Sequence, residues 1–283
     1  MRLAAAIAVA GLVLAAAQSA RAAEPTVAAL QVALRARGVY TGPIDGVRST
    51  LTDEALRRAQ ARARLVPDGV VGPLTRRALR LRPLGSRGLR AGRSGPDVAE
   101  LQFALAQHGF PSGTFDGSFG GRTDRALRRF QRWARLTVDG VAGAATFAAL
   151  RVPPPSLSDS LAPPISAPVT DGFGPRGDRF HSGIDLPAPA GTGVVAAAPG
   201  RVAYAGWLDG GWGNLVSIAH GDGVRTLYAH LSQVEVRVGE RVQTGWEVGR
   251  VGATGDATGP HLHFELRLRG AAIDPVPAIS FDN

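Results

Sequence analysis

Five of the six histidines lie between positions 169 and 283: His181, His220, His230, His261 and His263; the sixth is His108. The stretch His261-Leu262-His263-Phe264-Glu265-Leu266 alternates polar and apolar residues. As a strand it turns His261, His263 and Glu265 to one face and sends Leu262, Phe264 and Leu266 toward a core. Imidazoles two residues apart on a strand are separated by about 7 Å. They can share a metal ion, or one can bind it while the other faces substrate. His181-Ser-Gly-Ile-Asp185 adds an imidazole and a carboxylate four residues apart. Gly183 between them and Pro187 beyond them favour a loop entering a strand over a helix. Two His and one Asp make a three-ligand set with one coordination position open, the catalytic arrangement for zinc. Iron and manganese accept the same ligand types, and zinc fits them better. The chain has no Cys, which excludes thiolate metal sites, iron–sulfur clusters, disulfides and a cysteine nucleophile.

Short β-type runs position these groups. Val194-Val195-Ala196, Leu215-Val216-Ser217-Ile218 and Arg225-Thr226-Leu227-Tyr228 are separated by glycine turns. They predict an all-β antiparallel-sheet domain over 169–283. Residues 152–168 precede it, rich in Pro and Ser, and predict an extended spacer.

The first half is organised differently. Val27-Ala-Ala-Leu30-Gln31 matches Val98-Ala-Glu-Leu101-Gln102, and Asp45-Gly46 matches Asp116-Gly117. Gln60 matches Gln131, and Asp68-Gly69-Val70 matches Asp139-Gly140-Val141, always 71 positions apart. Roughly half of the positions from 27 to 80 are identical to their partners, which marks a tandem module. Ala126, Leu127, Phe130 and Ala134 recur at helical spacing and predict one buried face. Thr26/Asp97, Thr52/Thr123 and Thr75/Thr146 are read as helix caps. Asp116 and Asp139 are read as turn residues of Asp-Gly pairs. Each copy is thus a small three-helix unit, with boundaries expected at 23–82 and 97–151 and a connection at 83–96.

Charge follows the same division. Residues 23–152 carry 21 Arg against 10 Asp and Glu, whereas 169–283 carry 9 against 12, so the halves differ by +11 to −3. A basic front half suits an anionic partner or a solvated set of helix faces. Met1-Arg2, the apolar run Leu3 to Ala17 and the small residues Ala20 and Ala22 read as a secretory signal peptide over 1–22. The run is short for a membrane span of about 20 residues, though an uncleaved anchor is the alternative. Export disfavours nucleic acid as the anionic partner, no base-reading motif is present, and no later stretch is long enough to span a bilayer.

Phe173-Gly174-Pro-Arg176, His181-x-x-x-Asp185, Tyr228-Ala-His230-Leu231 and His261-x-His263 stand in this order. Together they resemble the lysostaphin/LytM-type zinc endopeptidases over nearly all of 169–283. The resemblance implies His181, Asp185 and His263 as ligands of one zinc ion, with His230 and His261 flanking the metal as catalytic groups. The second module, from Phe115-Asp116-Gly117 through Asp139-Gly140 to Leu150, resembles the peptidoglycan-binding domain family. The first departs from that pattern, with Arg48-Ser49 for the Phe-Gly pair and Ala59 for the aromatic.

The expectation is therefore two small three-helix all-α modules followed by an all-β peptidase domain. It is an exported zinc endopeptidase, in the periplasm or cell envelope or outside the cell, cutting peptide stems or cross-bridges of peptidoglycan. A non-catalytic wall-binding scaffold, or an activator of another hydrolase, is the competing class. No His-Glu-x-x-His helix supplies a glutamate base, so an uncharged His230 or His261 is the available proton acceptor. Trp212 and Asn214, in the glycine-rich stretch from Gly206 to Gly213 and just after it, are candidates for substrate contact. Glu265 is expected to support the site or face solvent, and His220, His108, Tyr204 and Tyr228 are expected to be structural.

Overall fold

The helices form where the repeat places apolar residues at helical spacing. A computed structural model describes residues 23–154, 156–157 and 161–280; the expected signal peptide lies outside the described residues. Three helices come first: α1 (Pro25–Arg35), α2 (Thr50–Arg62) and α3 (Pro73–Leu79). Three more follow: α4 (Pro96–Gln107), α5 (Gly121–Trp133) and α6 (Ala144–Ala149). Each of these starts 71 positions after its counterpart, Pro96 against Pro25, Gly121 against Thr50 and Ala144 against Pro73. On α5 the predicted face is buried through Ala126, Leu127 and Phe130.

The threonines and Asp97 do not cap. The capping positions are Glu24, Ser49, Gly72, Gly95, Gly120 and Gly143, and only Ser49 gives a side-chain cap bond. Thr75, Thr123 and Thr146 sit inside the first turn, where their hydroxyls accept from Gln60, Gln102 and Gln131. Those glutamines do more. Gln102 Nε2 donates to Asp116 Oδ1 at 2.9 Å while its Oε1 accepts from Gly117 N at 3.0 Å. Gln31, Gln60 and Gln131 hold Asp45-Gly46, Asp68-Gly69 and Asp139-Gly140 in the same way. A buried amide with both ends satisfied pins each Asp-Gly turn to a helix, which is why these positions recur in both copies. The Asp side chains also accept from the residue two ahead, as turn aspartates do.

The rest of the chain is β. Its strands are β1 (Gly174–Arg176), β2 (Arg179–His181), β3 (Ile184–Pro187), β4 (Gly193–Val195), β5 (Gly200–Leu208) and β6 (Gly213–Gly221). Then come β7 (Val224–Leu231), β8 (Gln233–Val234), β9 (Arg241–Val242), β10 (Glu247–Arg250), β11 (His261–Leu268) and β12 (Ala271–Ile273). The main sheet runs β12-β11-β7-β6-β5-β9, with β3 paired to the first half of β11, and every pairing is antiparallel. One face carries the core, with Val216, Ile218, Tyr228, Leu262, Phe264 and Leu266 all buried. The opposite face, around Leu215, Leu227 and Ala229, carries His230, His261 and His263.

The helical and β parts touch, which the reading of 152–168 as a spacer did not anticipate. Arg35 holds both carboxylate oxygens of Asp178 at 2.5 and 3.0 Å, and Ile44 N donates to Asp178 Oδ1. Phe115 N donates to Asp178 O, and Phe180 packs against the core of the first three helices. Elsewhere Ala272 N donates to Gly109 O, and Ala271 joins the core of the second three. Leu89, inside the expected 83–96 connection, is buried and paired with Ala142. Leu161 and Ile165, inside 152–168, are buried in the β core.

One buried acid sits where the two helical units meet. Glu100 on α4 lines a cavity of about 560 Å³ with Ala29 and Leu30 of α1. Burial, reinforced by Asp97 and opposed by Arg76, raises its pKa to about 7. Its folded pKa lies above the ordinary value, so the folded chain binds more protons than the unfolded between about pH 4.5 and 7 and loses stability as pH rises through that window. Glu100→Gln removes this loss. In thermal or urea melts of the full chain the variant is expected to gain on the order of 2–3 kcal/mol over the parent at pH 8 and nothing at pH 4.5; equal stability at both pH values contradicts the assignment.

Candidate metal centre

Strand β11 is the floor of the site, and its register decides what meets. His263 stands opposite Asp185 of β3 on one side and Ala229 of β7 on the other. Its Nδ1 lies 2.8 Å from Asp185 Oδ1. His181, at the end of β2, closes a triangle: its Nε2 is 3.0 Å from His263 Nδ1 and 3.1 Å from Asp185 Oδ1. Gly183 makes this approach possible. A Cβ there would lie 2.4 Å from Phe264 O and 2.9 Å from His263 Cε1, closer than any side chain tolerates.

The bonds behind the triangle orient its atoms. His181 Nδ1 is 2.9 Å from Gly172 O, an acceptor only, so this nitrogen carries the hydrogen and Nε2 offers a lone pair. His263 Nε2 faces Glu265 Oε1 at 3.4 Å, which leaves Nδ1 as the lone pair. Arg176 takes Asp185 Oδ2 at 3.2 Å and Asp171 Oδ2 at 2.6 Å, so Asp185 Oδ1 points at the histidines. Three electron-pair donors so close to one another repel unless positive charge sits among them.

The electrostatics agree. Burial disfavours a charged Asp185, yet the neighbouring His181 and His263, when protonated, outweigh that and hold its carboxyl well below the usual range. Burial likewise opposes charge on His263, but Asp185 and Glu265 raise its pKa to about 9. Fully buried Glu265 is brought down to about 2, against its burial, by His263, Arg267 and Ser182. Arg267 Nε donates to its Oε2 at 2.7 Å, and the Ser182 hydroxyl donates to Oε1. The spot favours a cation. Among the described residues His181, Asp185 and His263 form the group able to hold a metal ion, and two imidazoles with a carboxylate suit zinc.

His230 reaches the same face by breaking a rule. Simple alternation would place it with Tyr228, which is buried in the core on the far side of the sheet. Its φ of 62° and a register break between β6 and β7 turn it back. A left-handed φ outside glycine costs on the order of 1 kcal/mol. The neighbouring Leu231 then returns to the core. The His230 ring centroid lies 4.8 Å from that of His261 and 5.7 Å from that of His263. Both accessory rings are oriented alike, with His230 Nδ1 bonded to Thr254 O and His261 Nδ1 to Gly259 O, each at 2.8 Å. Each therefore keeps a bare Nε2. Burial lowers the pKa of His230, the Thr254 bond opposes this, and His263 and His261 add to the lowering. At neutral pH the ring is an uncharged acceptor.

The remaining candidates separate. The Trp212 ring stands 5.7 Å from that of His263 and takes the Arg267 guanidinium at 5.6 Å on its other contact. Asn214 is occupied by scaffolding: its Nδ2 donates to Leu231 O and its backbone N to Thr254 Oγ1. His220 is bonded at both nitrogens, to Pro199 O and Thr226 Oγ1, on the core side of the sheet. His108 ends α4 with its ring between Ala104 O and Val152 O. Tyr228 is buried, its hydroxyl accepting from Ala197 N. Sequence reasoning left Ser182, Thr254 and Asp171 unassigned, and gave Arg176 no role. Gly213 makes room for Thr254, since a Cβ on it would lie 2.3 Å from Thr254 Oγ1.

Residues 179–275 match the family model described as "Peptidase family M23", and 23–79 and 94–150 each match the one described as "Putative peptidoglycan binding domain". The chain is 50% identical over 98 residues to DD-carboxypeptidase/endopeptidase Mpg of Neisseria meningitidis, an alignment covering 35% of this chain and 22% of that protein. It is 36% identical over 130 residues to murein hydrolase activator NlpD of Salmonella dublin, covering 44% and 34%. The chain thus spans about a fifth to a third of the length of these relatives. Among solved structures it is similar to the catalytic domain of lysostaphin from Staphylococcus simulans, with 36% identity, 39% of this chain and 90% of that chain covered, and a TM-score of 0.38. The C-terminal part of the chain belongs to peptidase family M23, and two peptidoglycan-binding-type domains precede it.

Proposed function

We propose that the chain is an exported zinc-dependent endopeptidase that hydrolyses peptide stems or cross-bridges of peptidoglycan in the cell envelope. The two helical modules, expected over 23–82 and 97–151, engage the same polymer and raise the local concentration of an insoluble substrate. The observation that carries this is the convergence of His181, Asp185 and His263 with two further imidazoles whose Nε2 atoms are free. A scaffold or activator needs no such set.

Zinc, when bound by His181, Asp185 and His263, supplies Lewis-acid polarisation of the scissile carbonyl. His230, kept uncharged, takes the proton of the attacking water at Nε2. His261 stands beside it to stabilise the developing oxyanion or to return a proton to the leaving amine. Water adds to the carbonyl carbon, the C–N bond breaks, and the amine leaves with the transferred proton. Glu265 keeps the His263 ring in the orientation that bares Nδ1, and Arg176 does the same for Asp185 Oδ1.

Isolated sacculi incubated with purified protein are expected to release muropeptides, to stop doing so with chelator, and to resume with added zinc. No release, or release indifferent to metal removal, refutes the enzyme; stimulation only of a second added hydrolase supports an activator instead. Glu265→Gln is expected to weaken zinc binding about 10- to 100-fold in competition with a chromophoric chelator. His230→Ala is expected to leave zinc content intact while lowering kcat by about 100-fold or more. Loss of zinc from the His230 variant would make that ring a ligand.

A further inference from the structure

A second charged region adjoins the centre and takes no part in the chemistry above. Between α5 and the β domain lies an open cleft of about 660 Å³, lined by Arg122, Arg125, Arg129, Arg179, Ser112 and Asp256 among others. Its far wall reaches the strand that carries His181. Arg179 stands on β2 two residues before His181, on the same side of the strand by alternation. Gly211, also in the wall, immediately precedes Trp212, and its carbonyl accepts from Asp256 N.

Four guanidiniums face one carboxylate there, and among the described residues none of the four makes an ion pair. Arg122, Arg125 and Arg129 share one face of α5, where like charges three and four residues apart destabilise a helix. The repeat shows that this is particular to one copy. At the matching positions of α2 the chain has Leu51, Glu54 and Arg58, and there Glu54 pairs with Arg58 at 3.5 Å. Where the second module faces the β domain, Leu and Glu are replaced by Arg, which leaves Arg129 without the partner that Arg58 has. Arg129 lies over the Phe110 ring; partial desolvation and then Arg267 lower its pKa, while the charge of Glu265 opposes them. Ser112 adds an independent sign: it is buried and its hydroxyl has no hydrogen-bond partner. Guanidiniums without ion-pair partners beside an unsatisfied hydroxyl describe a site for an acceptor-rich anion.

We propose that this cleft is a carboxylate-recognising subsite of the hydrolytic groove, in which arginines of the second module hold free carboxylates of the peptide being cut. The inference rests on the endopeptidase reading for its substrate, a peptide stem. Arg forks match carboxylates in two parallel bonds, and their placement next to the centre fixes which side of the scissile bond enters it. The second module is then one wall of the active groove.

The test uses the full chain and a synthetic stem peptide with free carboxylates, alongside the same peptide with those carboxylates amidated. The variant is the double substitution Arg122→Leu, Arg125→Glu, which installs the residues of the first copy and is checked by circular dichroism and melting. Binding by calorimetry and hydrolysis by mass spectrometry are read separately. The parent is expected to bind and cleave the free-acid peptide at least about 10-fold better than the amide, and the variant to lose that preference while keeping its turnover of the amide. Equal binding of both peptides by the parent, an equal loss on both in the variant, or equal competition by inorganic phosphate overturns the subsite. Binding preference without any hydrolysis sustains the subsite as a peptide-binding site and overturns the endopeptidase reading; hydrolysis without preference does the reverse.

Discussion

Three electron-pair donors are forced to within about 3 Å of one another, and most of the β domain exists to keep them there. His263 and Asp185 meet because they are directly opposed on antiparallel strands, a contact that a one-residue slip of β3 would abolish. His181 joins them because the chain turns back at Gly183, which lies against β11 with no room for a side chain. Left to themselves these atoms would rotate apart or take up protons. Gly172 O, Glu265 and Arg176 prevent rotation by occupying the other end of each group. Glu265 carries the largest cost in this arrangement, being a fully buried carboxylate. It is tolerated because Arg267 and Ser182 satisfy it from behind while His263 does so in front.

The histidines of the sheet face are built by two opposite means. His261 and His263 arise from regular strand geometry, since alternate residues of β11 share a face. His230 arises from irregularity, since a left-handed residue and a register break put consecutive Ala229 and His230 on one side. The irregular solution brings the His230 ring to 4.8 Å from that of His261. Strain of this kind persists where surrounding contacts enforce it. Here His230 N bonds to Trp212 O and its Nδ1 to Thr254 O, so both its backbone and its ring are tied.

This difference explains what could be read from the residues alone. The alternation of 261–266 and the glycine between His181 and Asp185 already located the strand face and the approaching loop. His230 could not be placed by pattern, because periodicity assigns it to the core with Tyr228; only the ordered motifs of a known family pointed to it. Glu265 was visible as a site-face residue, and Arg267 continues the same alternation two residues on, but Ser182 reaches it from a loop 83 positions away, a contact no local pattern contains. In the helical half, the 71-residue offset and the apolar face of α5 were legible. The capping roles of Thr75, Thr123 and Thr146 were misassigned because a hydroxyl in the first turn has two uses. Here buried glutamines claim it, a tertiary contact that local sequence rules do not contain.

The docking of the helical modules onto the β domain was not legible at all, and its energetics show why it matters. Arg35–Asp178 is a half-exposed ion pair, a class worth about 0–1 kcal/mol, so it cannot hold two domains together alone. What it does is geometric. Asp178 also receives Ile44 N, while its own carbonyl takes Phe115 N, so both modules grip one residue of the β1–β2 turn. Phe180 follows and packs into the first module, where buried apolar area contributes more than the charges do. His181 is the next residue. The grip on Asp178 and Phe180 is therefore transmitted within a few ångströms of backbone to a donor of the metal-capable triangle. Modules that merely anchored the chain to a polymer could hang from a free linker. Modules that clamp the hairpin bearing His181 tie the metal-capable triangle to the helical half, and the position of the centre becomes a property of the assembled chain.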